Sequence, residues 1–228
     1  MMELYEKYVG LVFDNRYRIE RVVGVGGMGN HHVFYGHTRN KRINLVAVCD
    51  IIEERATGVI EKAHLEGAKA YTDWKEMIDN EELDAIDICT PNYLHSIIAI
   101  EALKAGKHVL CEKPLAPTVS QIKQMFAVAK ENNVLLMEAF AYLHSPFIAA
   151  VKQQIDDGKL GDILYMESAF ITSDYDVSNI RMRKETFGGA TYDLGCYNTS
   201  QILWMFGEEP QPVLATAVFS DQDIDPLS

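Results

Sequence analysis

The feature that most constrains the fold is an alternation, between residues 20 and 138, of short β-branched runs with longer helical segments. The runs are "ERVVGV", "INLVAVCD", "LDAIDICT", "KHVLCE" and "NVLLMEAF". Runs that are apolar along their whole length are typical of strands covered on both faces. Their alternation with helices predicts right-handed βαβ units. We therefore predict an α/β fold with a doubly wound parallel sheet.

Helix signals lie between these runs. The segment "YLHSIIAIEALKAG" has apolar residues at helical spacing and ends at Gly106, a typical C′ glycine. Thr118 is a candidate N-cap for the segment "VSQIKQMFAVAKENN". These signals predict a helix on each side of the run "KHVLCE".

The pattern changes after about residue 140, which predicts a second domain. "SPFIAAVKQQIDDGKLG" predicts a helix that ends near Gly158, and "TYDLGCYNTSQILWMFG" predicts one that begins after Gly188-Gly189 and ends at Gly207. "DILYMESAFITSD" and "QPVLATAVFS" predict strands, the first with the alternation of an antiparallel strand. We expect domains over residues 1–140, with an N-terminal extension over 1–18, and 141–228. The second is a smaller α+β domain with an open, mainly antiparallel sheet.

Composition and charge argue against several classes of partner. The 228 residues carry a net charge of −12, whereas nucleic acids and anionic membranes attract clustered Lys and Arg. No apolar run approaches the roughly 18–20 residues that a membrane span needs, and the charged N-terminus lacks an apolar signal core. The 4 cysteines form no CxxC pair, which fits thiols in a reducing cytosol. We expect a cytoplasmic protein that binds neither nucleic acid nor membrane.

A glycine pattern follows the first strand directly. In "ERVVGVGGMGNHH", Gly24, Gly26 and Gly29 have GxGxxG spacing, with Gly27 and Met28 between them. Such glycines allow a tight turn and let the backbone approach a pyrophosphate at a helix N-terminus. The alternative is an ordinary glycine-rich turn. We predict that these five residues contact a dinucleotide.

Asp50 strengthens this prediction. It closes the second strand about 20 residues past Gly29, where an acidic residue accepts hydrogen bonds from the adenosine ribose. Ile51 follows, where a protein that binds the 2′-phosphate of NADP more often has Ser or Arg, and a carboxylate repels that phosphate. We therefore predict NAD as the cofactor, with Asp50 and Ile51 beside its ribose.

His31 and His32 raise the question of a metal site. Adjacent residues of a helix point about 100° apart, and no carboxylate or cysteine lies at ligand spacing from them in the sequence. We expect polar residues at a helix start and no metal site.

Polar residues follow two further strands. In an open α/β sheet, ligands bind outside the carboxyl ends of the strands. Cys89 and Cys111 are expected to be small buried residues rather than nucleophiles, because nothing nearby in sequence would activate them. His95 either touches the cofactor or caps its own helix. The predicted cofactor contacts from these strand ends are Thr90, Pro91, Asn92, His95, Glu112 and Lys113.

The chain resembles the Gfo/Idh/MocA oxidoreductases from about residue 19 to 220. The resemblance rests on "GVGGMGNHH", "CTPNYLHSIIAIEALKAGKHVLCEKPLA" and "GGATYDLGCYNTSQILWMFGEEP". Tyr197 stands where many relatives have the His of a D-x-G-x-H motif, as in the branch with dihydrodiol dehydrogenase, xylose dehydrogenases and glucose–fructose oxidoreductase. The resemblance implies a Rossmann domain, then an α/β domain whose open sheet often forms a dimer interface. It also implies a nicotinamide cofactor, a homodimer or higher homo-oligomer, and a sugar, polyol or diol substrate.

The chemistry implied is hydride transfer, in which the protein positions two carbons and moves one proton on the substrate oxygen. Tyr197 is predicted to exchange this proton. Lys113 is predicted to orient the oxygen and stabilise the phenolate, and the resemblance implies a cis Lys113–Pro114 bond. Asp193, four residues before Tyr197, fixes Lys113 or a second hydroxyl, or is only a helix-start residue. Arg181 either contacts substrate or pairs with a surface acid.

A rival function is left open by the sequence. Family members usually continue well beyond the last residues of this chain, so we expect the second domain to be incomplete. The alternative to a dehydrogenase is a non-catalytic dinucleotide-binding sensor or regulator, or an inactive remnant of such an enzyme. The presence of Lys113, Asp193 and Tyr197 favours the enzyme.

Overall fold

A computed structural model describes residues 19–172, 178–211, 213–221 and 223–225. The predicted N-terminal extension over residues 1–18 lies outside the described residues. The described residues divide into two compact units, one that ends at Ala139 and one that begins at Phe140. Each unit is described by itself below.

The first unit is built on a six-stranded sheet in which every neighbouring pair is parallel. The spatial order is β3-β2-β1-β4-β5-β6. This order reverses between β1 and β4, which confirms the doubly wound α/β fold and marks the crevice where ligands bind in such sheets. The strands are β1 (Ile19–Val23), β2 (Ala47–Cys49), β3 (Lys69–Tyr71), β4 (Ala85–Ile88), β5 (His108–Cys111) and β6 (Leu136–Glu138).

Helices connect these strands where the sequence predicts them. The Thr118 hydroxyl accepts a hydrogen bond from the Gln121 N–H, which confirms the predicted N-cap, a contribution of about 1 kcal/mol. Gly106 follows its helix with φ +73°, as a C′ glycine does. The helices are α1 (Gly27–His31), α2 (Glu53–Lys62), α3 (Trp74–Asn80), α4 (Asn92–Lys104) and α5 (Val119–Glu131).

The core of this unit lies on both faces of the sheet. Successive residues of a strand point to opposite faces, so Val22 and Val23 contribute to two separate clusters. The Val22 cluster includes Val33 and Val48. The Val23 cluster is larger and includes, among others, Ile86, Ile98, Leu103 and Met125, all fully buried.

The second unit contains the two helices that the sequence predicts. They are α6 (Pro146–Asp156) and α7 (Cys196–Phe206), and a wide turn, Thr191–Gly195, leads into α7. Gly207 ends α7 in the left-handed region at φ +73°. No helix in the described part of the chain is long and apolar enough to cross a membrane.

The sheet predicted for the second unit is not found among its described residues. Residues 161–172 and 213–217 form no strand, and Leu164 and Leu214 are 90% and 93% exposed. Alternation gives a segment one apolar face, but a strand also needs a neighbour for its backbone N–H and C=O groups. Among the described residues of this unit, only Val218 makes an isolated β-bridge. Residues 173, 174 and 212 of the predicted strands lie outside the described residues.

Candidate functional site

The glycine pattern forms a loop in which two glycines are sterically required. Gly24 follows β1 with φ +86°, and a Cβ there would lie 2.9 Å from the carbonyl oxygen of Cys89. A Cβ on Gly29 would lie 2.1 Å from the carbonyl oxygen of Gly24. Real Cβ atoms do not approach backbone oxygens so closely. These two positions therefore fix a tight turn between β1 and α1.

The other side of the loop is open. A Cβ on Gly26 or Gly27 would meet no atom within 4 Å, and Met28 is exposed. Gly26 has a negative φ of −70°, so a left-handed conformation is not the reason for glycine there. The missing side chain instead leaves free space beside the backbone, which fits the close approach of a pyrophosphate. The sequence-predicted cofactor contacts of the loop are thus compatible with the geometry and stay predictions.

Asp50 lies at the carboxyl end of β2 and holds the loop in place. Its Oδ2 accepts a hydrogen bond from the Val25 N–H at 3.0 Å, and its Oδ1 accepts one from the Ile52 N–H at 3.0 Å. The carboxylate is 6% exposed, whereas Ile51 beside it is 85% exposed. Each carboxylate oxygen has a second lone pair, so the predicted ribose contact is chemically compatible and stays a prediction.

The segment after β4 supplies a buried polar atom. Thr90 Oγ1 is buried and has no hydrogen-bond partner among the described residues. Pro91 and Asn92 follow as the N-cap and first residue of α4. Buried hydroxyl groups usually have a partner, so a ligand group at this strand end fits the site. The predicted contacts of Thr90, Pro91 and Asn92 with the cofactor stay predictions.

His95 is buried between two backbone segments. Its side chain is completely buried, and burial lowers its pKa. Nδ1 lies 2.8 Å from the carbonyl oxygen of Pro114, and Nε2 lies 2.8 Å from that of Thr90. Both nitrogens face backbone carbonyls, and the predicted cofactor contact of His95 stays a prediction. His95 joins the segment after β4 to the turn after β5.

Lys113 follows β5 in that turn, and the Lys113–Pro114 bond is cis, as predicted. The Lys113 N–H donates to Glu112 Oε2 at 3.1 Å. The Leu115 N–H donates to Glu138 Oε1 at 2.7 Å. Burial raises the pKa of Glu138 to about 7, and the charge of Glu112 adds to this, although the Leu115 N–H and Lys113 oppose it. Lys113 therefore lies in a turn bordered by the buried carboxyl group of Glu112 and the half-buried one of Glu138.

A buried ion-pair network, which the sequence did not reveal, adjoins this turn. His32 Nδ1 lies 2.8 Å from Asp87 Oδ2, and His32 Nε2 lies 2.9 Å from Glu112 Oε1. His37 Nε2 approaches the same Asp87 oxygen at 2.6 Å. His31 fits the expectation of a polar residue at a helix start, since it is exposed and stacks on Tyr35. For His32 that expectation is wrong.

The charges of this network explain its pKa values. Burial by itself lowers the pKa of His32, but the hydrogen bonds and charges of Asp87 and Glu112 outweigh it and raise the value to about 10. Burial raises the pKa of Asp87, but the hydrogen bonds of His32 and His37 outweigh it and lower the value. His32 is therefore an imidazolium between two carboxylates at neutral pH.

Cys89 borders the network. Its Sγ lies 3.4 Å from His32 Nδ1, and burial raises the pKa of its thiol well above the usual range. Cys111 is completely buried, as predicted, and burial raises its thiol pKa too. His32, Asp87 and Cys89 place a nitrogen, an oxygen and a sulfur within 4.8 Å of one another. Since hydrogen bonds to carboxylates account for both nitrogens of His32, no metal is needed to explain its position, and the lack of a metal site stays a prediction.

In the second unit, Tyr197 lies in a cluster of aromatic rings. Its ring centroid is 5.5 Å from that of Phe140, 6.1 Å from Tyr142 and 5.6 Å from Phe170. These distances are typical of favourable aromatic pairs. Tyr197 also lines a cleft of about 210 Å³ whose polar side chains include Ser168, Asn198 and Gln201.

Asp193 and Arg181 pair with each other. Arg181 Nε lies 2.8 Å from Asp193 Oδ2. Of the two alternatives for Arg181, the structure shows the ion pair. The acidic partner, Asp193, is itself predicted to be catalytic. Lys113 belongs to the first unit, whereas Asp193 and Tyr197 belong to the second. The joint action of these residues stays a prediction.

Comparisons with known proteins agree with this fold. A family model described as an oxidoreductase family with an NAD-binding Rossmann fold, GFO_IDH_MocA, matches residues 21–140. A model of the GFO/IDH/MocA C-terminal domain matches residues 148–225. Together the two models match most of the chain.

Among curated relatives, a levoglucosan dehydrogenase from Pseudarthrobacter phenanthrenivorans is 42% identical over 100 residues, which are 44% of this chain and 26% of the relative. A trans-1,2-dihydrobenzene-1,2-diol dehydrogenase from Xenopus laevis is 32% identical over 158 residues, which are 69% of this chain and 48% of the relative. The chain thus spans about half the length, or less, of these relatives.

Two solved structures are similar over most of the chain. GenD2 from gentamicin A biosynthesis, in complex with NAD, is 27% identical with a TM-score of 0.70, over 84% of this chain and 56% of that chain. KijD10, a 3-ketoreductase from Actinomadura kijaniata in complex with NADP and TDP-benzene, is 29% identical with a TM-score of 0.73. That match covers 79% of this chain and 55% of KijD10. The parallel sheet with its glycine loop and the two family matches lead to one assignment: the chain belongs to the Gfo/Idh/MocA oxidoreductase family.

Proposed function

We propose that the chain binds NAD(H) and is an oxidoreductase that acts on a CH–OH group of a sugar, polyol or diol. The glycine loop carries this proposal. Gly24 and Gly29 admit no side chain, and Gly26 and Gly27 leave open space beside the loop. The loop follows β1, and β4 separates β1 from β5, the strand that precedes Lys113. The bound cofactor would supply the hydride chemistry. The protein supplies binding, orientation and proton movement.

Each group of residues has a role in this proposal. The backbone of the glycine loop binds the pyrophosphate, Asp50 accepts from the ribose, and Lys113 orients the reacting substrate oxygen. Tyr197 exchanges a proton with that oxygen from its aromatic cluster. Proton transfer by a positioned side chain typically contributes about 10²–10⁴-fold to rate. Asp193, which pairs with Arg181, positions Arg181 or a second substrate hydroxyl.

A direct test is to measure NADH binding and then to screen aldoses, polyols and diols for NAD reduction. We expect NADH to bind and at least one substrate to be turned over. Tight NADH binding without turnover on any compound of the panel would instead support a non-catalytic dinucleotide-binding protein. Failure to bind NADH or NADPH would contradict both functions.

Tyr197→Phe separates catalysis from cofactor binding. The phenyl ring keeps the aromatic contacts with Phe140 and Phe170, but it has no proton to exchange. We expect kcat to fall by about 10²-fold or more and the Kd of NADH to stay the same, as measured by steady-state kinetics and fluorescence titration. If NADH affinity collapses while the variant remains folded, Tyr197 is structural and the proposed role is wrong.

Asp50 variants test the choice of NAD over NADP. Asp50→Asn keeps an acceptor for one of the two backbone N–H groups but removes the charge that repels a 2′-phosphate. Asp50→Ser is shorter, and its one hydroxyl oxygen cannot replace both carboxylate acceptors. We expect both variants to lower the ratio of the NADPH dissociation constant to the NADH dissociation constant. We expect Asp50→Ser to weaken NADH binding more than Asp50→Asn does. An unchanged ratio in both variants would remove Asp50 from the ribose site.

We further propose a cytoplasmic homodimer. All 4 cysteines are thiols, which supports a reducing compartment. The proposal of a dimer rests on the family resemblance. Sedimentation at several concentrations tests it, and a monomer at all concentrations would refute it.

A further inference from the structure

We propose that His32 is a positioning residue, which fixes the segment after the glycine loop to the peptide of Lys113 by bridging Asp87 and Glu112. This inference deepens the proposed function and rests on it. None of the predicted binding or catalytic roles uses His32, Asp87 or His37, although all three are buried or nearly buried beside the candidate site.

A continuous set of contacts supports the inference. His37 and His32 both bind Asp87 Oδ2, and the other nitrogen of His32 lies 2.9 Å from Glu112 Oε1. The second oxygen of Glu112 accepts the N–H of Lys113 at 3.1 Å. One imidazole is thus separated from the Lys113 peptide by a single carboxylate.

The backbone after α1 is shaped for this arrangement. In an α-helix, residues five apart point about 140° away from each other, since each residue advances by about 100°. Residues His32–Gly36 form a wider turn, in which the His37 N–H donates to the carbonyl oxygen of His32 five residues earlier. Such turns are rare in proteins, and many of those that occur lie at functional sites. Here the wide turn brings His32 and His37 to the same carboxylate.

Charge explains why histidine is needed at this position. Asp87 is completely buried and Glu112 is 6% exposed, so two negative charges lie near each other away from water. Removal of one partner from a buried ion pair leaves an uncompensated charge, which is strongly unfavourable. A pKa of about 10 for His32 agrees with an imidazolium that donates to both carboxylates. A neutral side chain cannot compensate this charge.

Loss of the His32 imidazolium would affect Lys113 through Glu112. Without the imidazolium, the Glu112 carboxylate loses its fixed position, and its hydrogen bond to the Lys113 N–H weakens. A displacement of about 1 Å in a catalytic group can lower turnover by about 10²-fold. The inference therefore predicts a defect in turnover that is larger than the defect in cofactor binding.

The experiment compares His32→Gln with His31→Gln. His31 is adjacent, exposed and stacked on Tyr35, so its variant is a matched control. In the wild type, the ¹⁵N shifts of His32 should show both nitrogens protonated at about pH 8, above the ordinary pKa of histidine. In His32→Gln, the amide proton of Lys113 should move upfield as its hydrogen bond to Glu112 weakens. It should not move in His31→Gln.

Kinetics then test whether the displacement matters. We expect His32→Gln to lower kcat by about 10-fold to 10²-fold and to change the Kd of NADH by less than about threefold. In a Glu112→Gln background the same substitution should have a smaller effect, because the two residues act through one contact. Additive effects, or an unchanged kcat in folded His32→Gln, would overturn the inference.

The spectroscopic results separate this inference from the proposed function. If no substrate is turned over, the proposed function fails, but the ¹⁵N and amide shifts still report on the bridge. A neutral His32 in the wild type at about pH 8 would refute the inference whatever the enzyme does. That measurement needs no variant, so a poorly folded His32→Gln would not prevent it.

Discussion

Lys113→Met is expected to lower kcat/KM by about 10²–10⁴-fold, on whichever substrate the NAD-reduction screen identifies. Methionine keeps much of the length of lysine and removes its charge and its protons. The backbone N–H of Lys113 stays available to Glu112, so the turn should keep its conformation. We expect NADH to bind with a Kd within about threefold of wild type, as measured by fluorescence titration.

Lys123→Met is the matched control for this experiment. Lys123 lies on α5 and is exposed, and it has no role in the proposed site. We expect its kcat/KM to equal that of the wild type. Comparable losses in both variants would point to a general effect of removing a charge. Retention of activity in Lys113→Met would remove this lysine from the catalytic set.

The second large effect is expected at the glycine loop. One alanine substitution there should destabilise the fold, and another should weaken NADH binding. Gly29→Ala places its Cβ 2.1 Å from the carbonyl oxygen of Gly24, so the turn between β1 and α1 has to move. We expect the free energy of unfolding to fall by about 2–4 kcal/mol. Gly26→Ala meets no atom within 4 Å and should fold like the wild type. Its methyl group occupies the open space beside the loop, so we expect NADH to bind at least about 10-fold more weakly.

Thermal denaturation and NADH titration distinguish these two outcomes. Gly58→Ala is a useful control, because Gly58 lies inside α2 and its added Cβ meets no atom. That change should stabilise the protein by about 0.5–1 kcal/mol and leave NADH binding unchanged. Wild-type stability in Gly29→Ala would contradict the described loop. Wild-type NADH affinity in Gly26→Ala would contradict the proposed pyrophosphate site.

The parts of the first unit that depend on local rules could be predicted from the sequence. The β1–loop–α1 turn follows from steric rules that glycine alone satisfies, and the caps at Thr118 and Gly106 follow from backbone hydrogen bonding. The parallel sheet follows from the alternation of wholly apolar runs with helical segments. Each of these inferences uses only a few neighbouring residues.

The network of His32 was missed because it joins residues that are distant in sequence. The expectation for His32 rests on α-helical spacing, whereas the backbone after α1 forms a wider turn. One signal was available in the sequence: Asp87 interrupts the apolar run "LDAIDICT". A carboxylate in a strand covered on both faces requires a partner, and that requirement points to a nearby cation.

The second unit was predicted less well for a related reason. Pro146 is a local signal for the start of α6, and Gly207 is a local signal for the end of α7. The strands predicted over 162–174 and 211–220 required partners that no local pattern can specify. Alternation of apolar residues indicates which face a strand would bury, but not whether a neighbouring strand is present.

The backbone contacts of Asp50 also limit how the cofactor preference could be redesigned. The carboxylate that would exclude a phosphorylated ribose is the same group that accepts the N–H of Val25 and of Ile52. An engineer who removes it leaves backbone donors unpaired, at a cost of about 1–3 kcal/mol for a buried one. Redesign therefore has to supply a new acceptor for these two N–H groups, whereas Arg55, whose Nη1 lies 3.7 Å from Asp50 Oδ1, already places a cation beside this carboxylate. Cofactor selectivity and stability depend on the same side chain at this position, so they have to be redesigned together.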